Sequence, residues 1–163
     1  MNHSTDPRQL PIQAALNVWE SNVSRTRKLW DALTQEQLMR EITPGKNRGV
    51  YLLGHLLAYH DAYGGLLGIT ERAYPELDVV FINNPDKAGL PMPDQPTMKR
   101  QWDRVHQRLA DHMAQLSPDN WFGPHTAVTQ EEFARQPHRS KFNVLLNRTN
   151  HLSYHLGQLR LLT

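Results

Sequence analysis

The run from Val50 to Gly68 reads Val-Tyr-Leu-Leu-Gly-His-Leu-Leu-Ala-Tyr-His-Asp-Ala-Tyr-Gly-Gly-Leu-Leu-Gly. Wound as an α-helix, it is apolar around nearly its whole circumference. A helix without a polar face has to be enclosed on most sides, so the rest of the chain must supply elements that wrap it. No stretch reaches eighteen consecutive apolar residues, so this is expected to be a core helix and not a membrane span. Gly54, Gly64 and Gly65 each cost about 1 kcal/mol of helix propensity against Ala. Their expected use is close approach of a neighbouring helix.

Three other segments carry a one-sided helical pattern. Asp6-Pro7 offers a helix start. From Leu10, the residues Ile12, Ala15, Leu16, Trp19, Val23, Thr26, Leu29, Trp30 and Leu33 then recur at three- and four-residue steps. Thr34-Gln-Glu-Gln37 has the form of a capping box opening a short turn. Met98, Trp102, Val105, Leu109, Met113 and Leu116 define a helix from about Thr97 to Leu116, which Ser117-Pro118-Asp119-Asn120 is expected to end. A last helix starts at Ser140 or Lys141, with Ser140 as N-cap. The connection 69–96 holds Pro75, Pro85, Pro91, Pro93 and Pro96, too long for a simple bundle turn, with a short regular piece expected at Leu77–Ile82. Residues 121–138 read as a second irregular segment. No alternating strand pattern and no internal repeat is visible. The expected fold is all-α: a four-helix bundle with long crossover connections, a single domain over residues 1–163.

Charge and composition exclude several function classes. The formal net charge is only +2, without the basic surface that nucleic-acid partners need. Arg100, Arg104 and Arg108 form a stripe better read as a solvated face. There is no cysteine, which rules out disulfides and thiolate metal sites. The N-terminus has no apolar signal core, so the expected location is cytoplasmic, with no membrane partner.

Nine histidines remain as the conspicuous chemistry. His151 and His155 stand four residues apart on the last helix, about 40° around its axis, so their imidazoles can meet at one point. The helix carries Leu152 after His151, so the His-Glu-x-x-His arrangement of a metalloprotease, with its general base, is absent. No Ser/His/Asp constellation or phosphate-binding glycine loop is present. A third imidazole has to come from elsewhere if the pair holds a catalytic ion. His55 and His60 on the enclosed helix are the candidates, with His125 possible from a loop. His106 and His112 read as surface or rim residues, and His3 belongs to the N-terminal tail. Without a metal, the histidines read as rim or hydrogen-bonded core residues.

Leu53-Gly54-His55-Leu56-Leu57, together with Asn150-His151-Leu-Ser-Tyr154-His155-Leu-Gly157-Gln158-Leu159, resembles the DinB-like family, which includes the YfiT-type metal-dependent hydrolases. The likeness extends over nearly the whole chain in helix order and loop placement, and the C-terminal run is its most specific part. The resemblance implies that His55, His151 and His155 bind a divalent metal ion, nickel or zinc, and it favours His55 over His60. It also implies activities of two kinds, thiol S-transfer to electrophiles and hydrolysis, and a homodimer. Three imidazoles leave coordination positions open for water or a substrate thiol. The expected nucleophile is thus brought by a metal-bound water or thiolate, and no side chain is assigned to catalysis. The expected partner is a small-molecule substrate, among them a low-molecular-weight thiol. The alternative is a non-catalytic metal- or ligand-binding bundle of the stress response. Gln158 and Asn147 share the histidine stripe and Tyr59 follows His55 by one turn, so these three are the expected supports of the imidazoles. His125, Glu131 and Glu132 would have to reach in from the loop.

Overall fold

The helical pattern of the chain becomes four long helices and four short ones in a computed structural model that describes residues 6–163. His3 lies outside the described residues. The elements are α1 (Gln9–Ala32), α2 (Gln35–Met39), α3 (Gly49–Leu67), α4 (Leu77–Phe81), α5 (Gln95–Met113), α6 (Pro118–Phe122), α7 (Gln130–Arg135) and α8 (Lys141–Leu159), followed by a 3-10 turn at Arg160–Leu162.

 It contains no β-strand among the described residues, only isolated bridges between Glu41 and Arg48 and between Pro124 and Ser140.

The enclosed helix is α3, the middle of the packing. Fourteen of its 19 residues are buried. It packs against α5 and α8 along its length and against α2 and α4 at its flanks, while α1 packs on α8. Trp19, Trp30, Trp102, Trp121, Tyr63 and Phe81 fill the spaces between these helices as fully buried side chains. Burying a large side chain of this kind contributes roughly 1.5–3 kcal/mol.

Helix starts follow local side-chain chemistry. Thr34 and Gln37 form the expected capping box of α2. Asp94 accepts from the Thr97 backbone N–H at 2.7 Å, so α5 begins two residues earlier than its apolar stripe indicates. Ser140 accepts from Asn143 N at 3.2 Å and starts α8 as expected. Ser117-Pro118-Asp119-Asn120 does not merely end a helix. Ser117 and Asn120 make a second capping box and open α6, the Asn amide oxygen serving where Glu or Gln is usual. Thr129 and Glu132 do the same for α7, so the segment 121–138 is partly helical.

The long connection between α3 and α5 is fastened to α3 at both ends. Gly68, at φ 70°, takes the left-handed conformation that turns the chain out of α3. The buried Asp61 carboxylate accepts the Ala73 and Tyr74 N–H groups, each at 2.9 Å. At the other end, Arg48 holds Asp86, with Nη2–Oδ1 at 2.6 Å. These anchors press α4 onto α3, where the Phe81 ring occupies the place a Cβ on Gly54 would take. The close approach foreseen for Gly54 is therefore made by a short helix of the connection, not by a long neighbour. Among the described residues no helix is long and apolar enough to cross a membrane.

Candidate metal centre

Residues ascending α3 meet residues descending α8: His55 packs beside His151 and His155, and Tyr59 beside His151. The two helices therefore bring one imidazole from α3 and two from α8 to a common point. His151 Nε2 lies 3.3 Å from His55 Nε2 and 3.1 Å from His155 Nε2. One nitrogen from each of the three residues falls within 4.8 Å of the other two. Nitrogens bound about 2.1 Å from one ion stand about 3.0 Å apart at a right angle and about 3.4 Å apart at the tetrahedral angle. The two distances to His151 fall in that range, and the third nitrogen pair lies within 4.8 Å.

The other ring nitrogens decide which tautomers face that point. His55 Nδ1 is 2.9 Å from the Phe81 carbonyl oxygen. A carbonyl only accepts, so Nδ1 carries the proton and Nε2 presents a lone pair. His155 Nδ1 stands 2.7 Å from Gln158 Oε1 and is fixed in the same way. His151 Nδ1 is buried without a hydrogen-bond partner. Two of the three rings are thus set in the form a metal requires.

Electrostatics favour the same form. Burial is the first cause that lowers the pKa of all three histidines. For His151 the neighbouring His155, His55 and Arg148 add to it and bring the value down to about 4. The rings are neutral near pH 7 and available as ligands. No carboxylate belongs to the group among the described residues.

The remaining expected residues divide sharply. Gln158 sits on His155, and the Tyr59 ring stands edge-on to His55, with centroids 4.7 Å apart. Asn147 is exposed and makes no side-chain hydrogen bond, because α8 turns that position outward. His125 belongs to the opposite end of α3: its neighbour Thr126 bonds the Leu66 carbonyl, eleven residues or about 16 Å of helix beyond His55. Glu132 is spent on capping α7 and Glu131 on Arg135. His60 is fully buried on another face of α3 and pairs with His106, Nδ1 to Nε2 at 2.9 Å. His106 is therefore no surface residue: its Nδ1 also donates to the Trp102 carbonyl at 2.8 Å.

A family model described as the DinB superfamily matches residues 19–159. The chain belongs to the DinB superfamily. No curated protein sequence matches it. Within this DinB-superfamily chain, three features of the site escaped the sequence. The Phe81 carbonyl that orients His55 is a backbone group, and no residue type announces it. Arg148, one turn before His151, lies over the Tyr59 ring at 4.9 Å, and a lone arginine on a helix gives no sign of where it points. A cleft of about 450 Å³ adjoins His155 and Gln158, walled by Tyr154 and by Thr43, Lys46 and Asn47 from the loop after α2. Pro44, Gly45 and Gly49 mark that stretch as a loop but say nothing of a cleft.

Proposed function

We propose that this chain is a divalent-metal-dependent enzyme of the DinB superfamily. In this reading His55, His151 and His155 hold the ion, and a small electrophilic substrate is attacked by a thiol or by water. The observation that carries the reading is the convergence of three neutral imidazole nitrogens, with no fourth histidine or carboxylate among the described residues in the group, beside a cleft large enough for a small molecule. The donor set fits nickel or zinc, both of which imidazole suits. A divalent ion held by these residues would supply Lewis acidity to a thiol or water nucleophile. The chain's own part is to keep the ligands neutral and aimed. Phe81 and Gln158 fix the tautomers of His55 and His155, and the Tyr59 ring packs against His55 and His151. No side chain in the group is placed as a general base, so the proton of the nucleophile leaves to solvent through the cleft. A low-molecular-weight thiol is the preferred co-substrate and a homodimer the expected assembly, both on the family resemblance, and sedimentation would test the second.

The decisive experiment is metal analysis of protein purified without a histidine tag, followed by turnover. About one equivalent of nickel or zinc, lost in His151→Ala and in His55→Ala, supports the site. A folded wild type that refuses both ions removes it. Metal-loaded protein is then mixed with small thiols and an electrophile such as chlorodinitrobenzene. Metal-dependent acceleration abolished by His55→Ala identifies a transferase. Ester or amide cleavage without thiol transfer identifies a hydrolase, and a loaded protein inert in both assays is a binder.

A further inference from the structure

Arg148 is a half-buried arginine beside the three histidines with no acid to meet it. Its guanidinium lies over Tyr59, whose ring also packs against the imidazoles of His55 and His151. The guanidinium carbon is no more than about 10 Å from the His151 ring centre, since the Tyr59 centroid lies 4.9 Å from one and 5.1 Å from the other. Among the described residues no carboxylate lies within ion-pair distance of it, and Nε is buried without a partner. The terminal amino groups are not among the buried unpartnered atoms, so they stay open to solvent.

The contrast with other partly buried arginines is informative. Arg48 is matched by Asp86, and Arg72 by Asp78 and Asp61. Arg108 and Arg139, also partly buried, have no carboxylate either, but of these three it is Arg148 whose Nε is buried without a partner. Burial without one costs free energy that a stacked ring only partly offsets. The unmatched charge also faces a centre suited to a divalent cation and free of acidic groups. Together they form a concentrated positive field that an anion would relieve.

We propose that Arg148 is the anion-recognition residue of this site and that the small molecule bound there carries a carboxylate. The carboxylate accepts from the two guanidinium terminal amino groups, while the thiol end of the same molecule reaches the imidazole centre. Arg148 so selects a carboxylate-bearing thiol over a neutral one, by the bidentate geometry that guanidinium offers to planar oxyanions. This inference rests on the three-histidine reading for its thiol, but not for its carboxylate.

The test keeps the two apart. Cobalt(II) is titrated into wild type, Arg148→Gln and Arg148→Lys, with His55→Ala as the control for metal binding. The thiolate-to-cobalt charge-transfer band then reports binding of 3-mercaptopropionate and of 2-mercaptoethanol. Wild type is expected to favour the carboxylate thiol by about tenfold or more, a preference abolished in Arg148→Gln and partly kept in Arg148→Lys, with cobalt stoichiometry equal in all three. Equal affinity for the two thiols in wild type, or a preference surviving in Arg148→Gln, overturns the proposal. If cobalt does not bind, the metal reading falls and a second measurement decides alone. The Arg148 Nε–H resonance of metal-free wild type is followed by NMR during titration with propionate and with propanol. A saturable shift with propionate only supports the proposal, and no saturable shift overturns it. The same measurement decides if Arg148→Gln does not fold.

Discussion

Gln158 shows how one side chain settles the state of another. Its amide oxygen accepts a hydrogen bond from His155 Nδ1–H, which leaves Nε2 with the lone pair at the centre. Gln158→Ala is expected to lower metal affinity about 10–100-fold while leaving the melting temperature of the metal-free protein nearly unchanged. Gln158→Glu, which keeps an acceptor, should retain most of the affinity in the same titration. His106 is a residue-scale case with a pH signature. Its burial lowers its pKa to about 4, opposed by the hydrogen bond to the Trp102 carbonyl and by the charge of Asp103. The folded protein therefore binds fewer protons there than the unfolded chain, whose imidazole titrates near pH 6.5. The stability so contributed is complete above about pH 6.5 and is lost as pH falls toward 4. Urea unfolding of metal-free protein across that range should show this decline, with a smaller slope in His106→Gln.

Among the elements, the short helix α4 does more than its length suggests. It was legible as a regular piece at Leu77–Ile82, because Leu77 and Phe81 are apolar one turn apart within a proline-rich connection. Its role was not legible, since it depends on where the connection is fastened. Asp61 and Arg48 fix that, and the outcome is Phe81 lying on Gly54 with its carbonyl on His55. Gly54→Ala forces a methyl group into the Phe81 ring and is expected to cost about 1–3 kcal/mol in urea unfolding. Because the same ring shift displaces the carbonyl, metal affinity should fall as well, which a purely structural glycine would not cause. The capping boxes at Thr34, Ser117 and Thr129 show how such local chemistry can be read or misread. The first is evident from Thr-x-x-Gln, whereas Ser117-Pro-Asp-Asn120 reads as a helix stop and proves also to open α6.

At the scale of the molecule, the packing of α8 on α3 brings together residues 96 positions apart. The core beneath, with Trp19, Trp30, Trp102 and the leucines of α3, is complete without an ion. Chelation should therefore leave the helices folded by circular dichroism and lower only the melting temperature. The loss should match the linkage of a bound ligand, about 2.7 kcal/mol when the free ion had stood at a hundred times its dissociation constant. Collapse to an unfolded chain on chelation would mean that the centre is part of the fold and not a site built upon it.

By itself the sequence determined the helical architecture, because a 3.6-residue apolar period and proline-rich breaks are local properties of the chain. It also determined that His151 and His155 share a face, since helix geometry fixes residues four apart. Periodicity left His55, His60 and His125 all open as the third imidazole, and the family resemblance pointed to His55. Only the tertiary structure decided where each one lies, through the rotation of α3 against α8 and α5. That rotation turns His55 toward α8 and His60 toward His106, two directions that no spacing along one helix can distinguish without its neighbours. The same packing left Arg148 beside the imidazoles without an acid, a fact about which groups fail to meet, and such absences exist only in three dimensions.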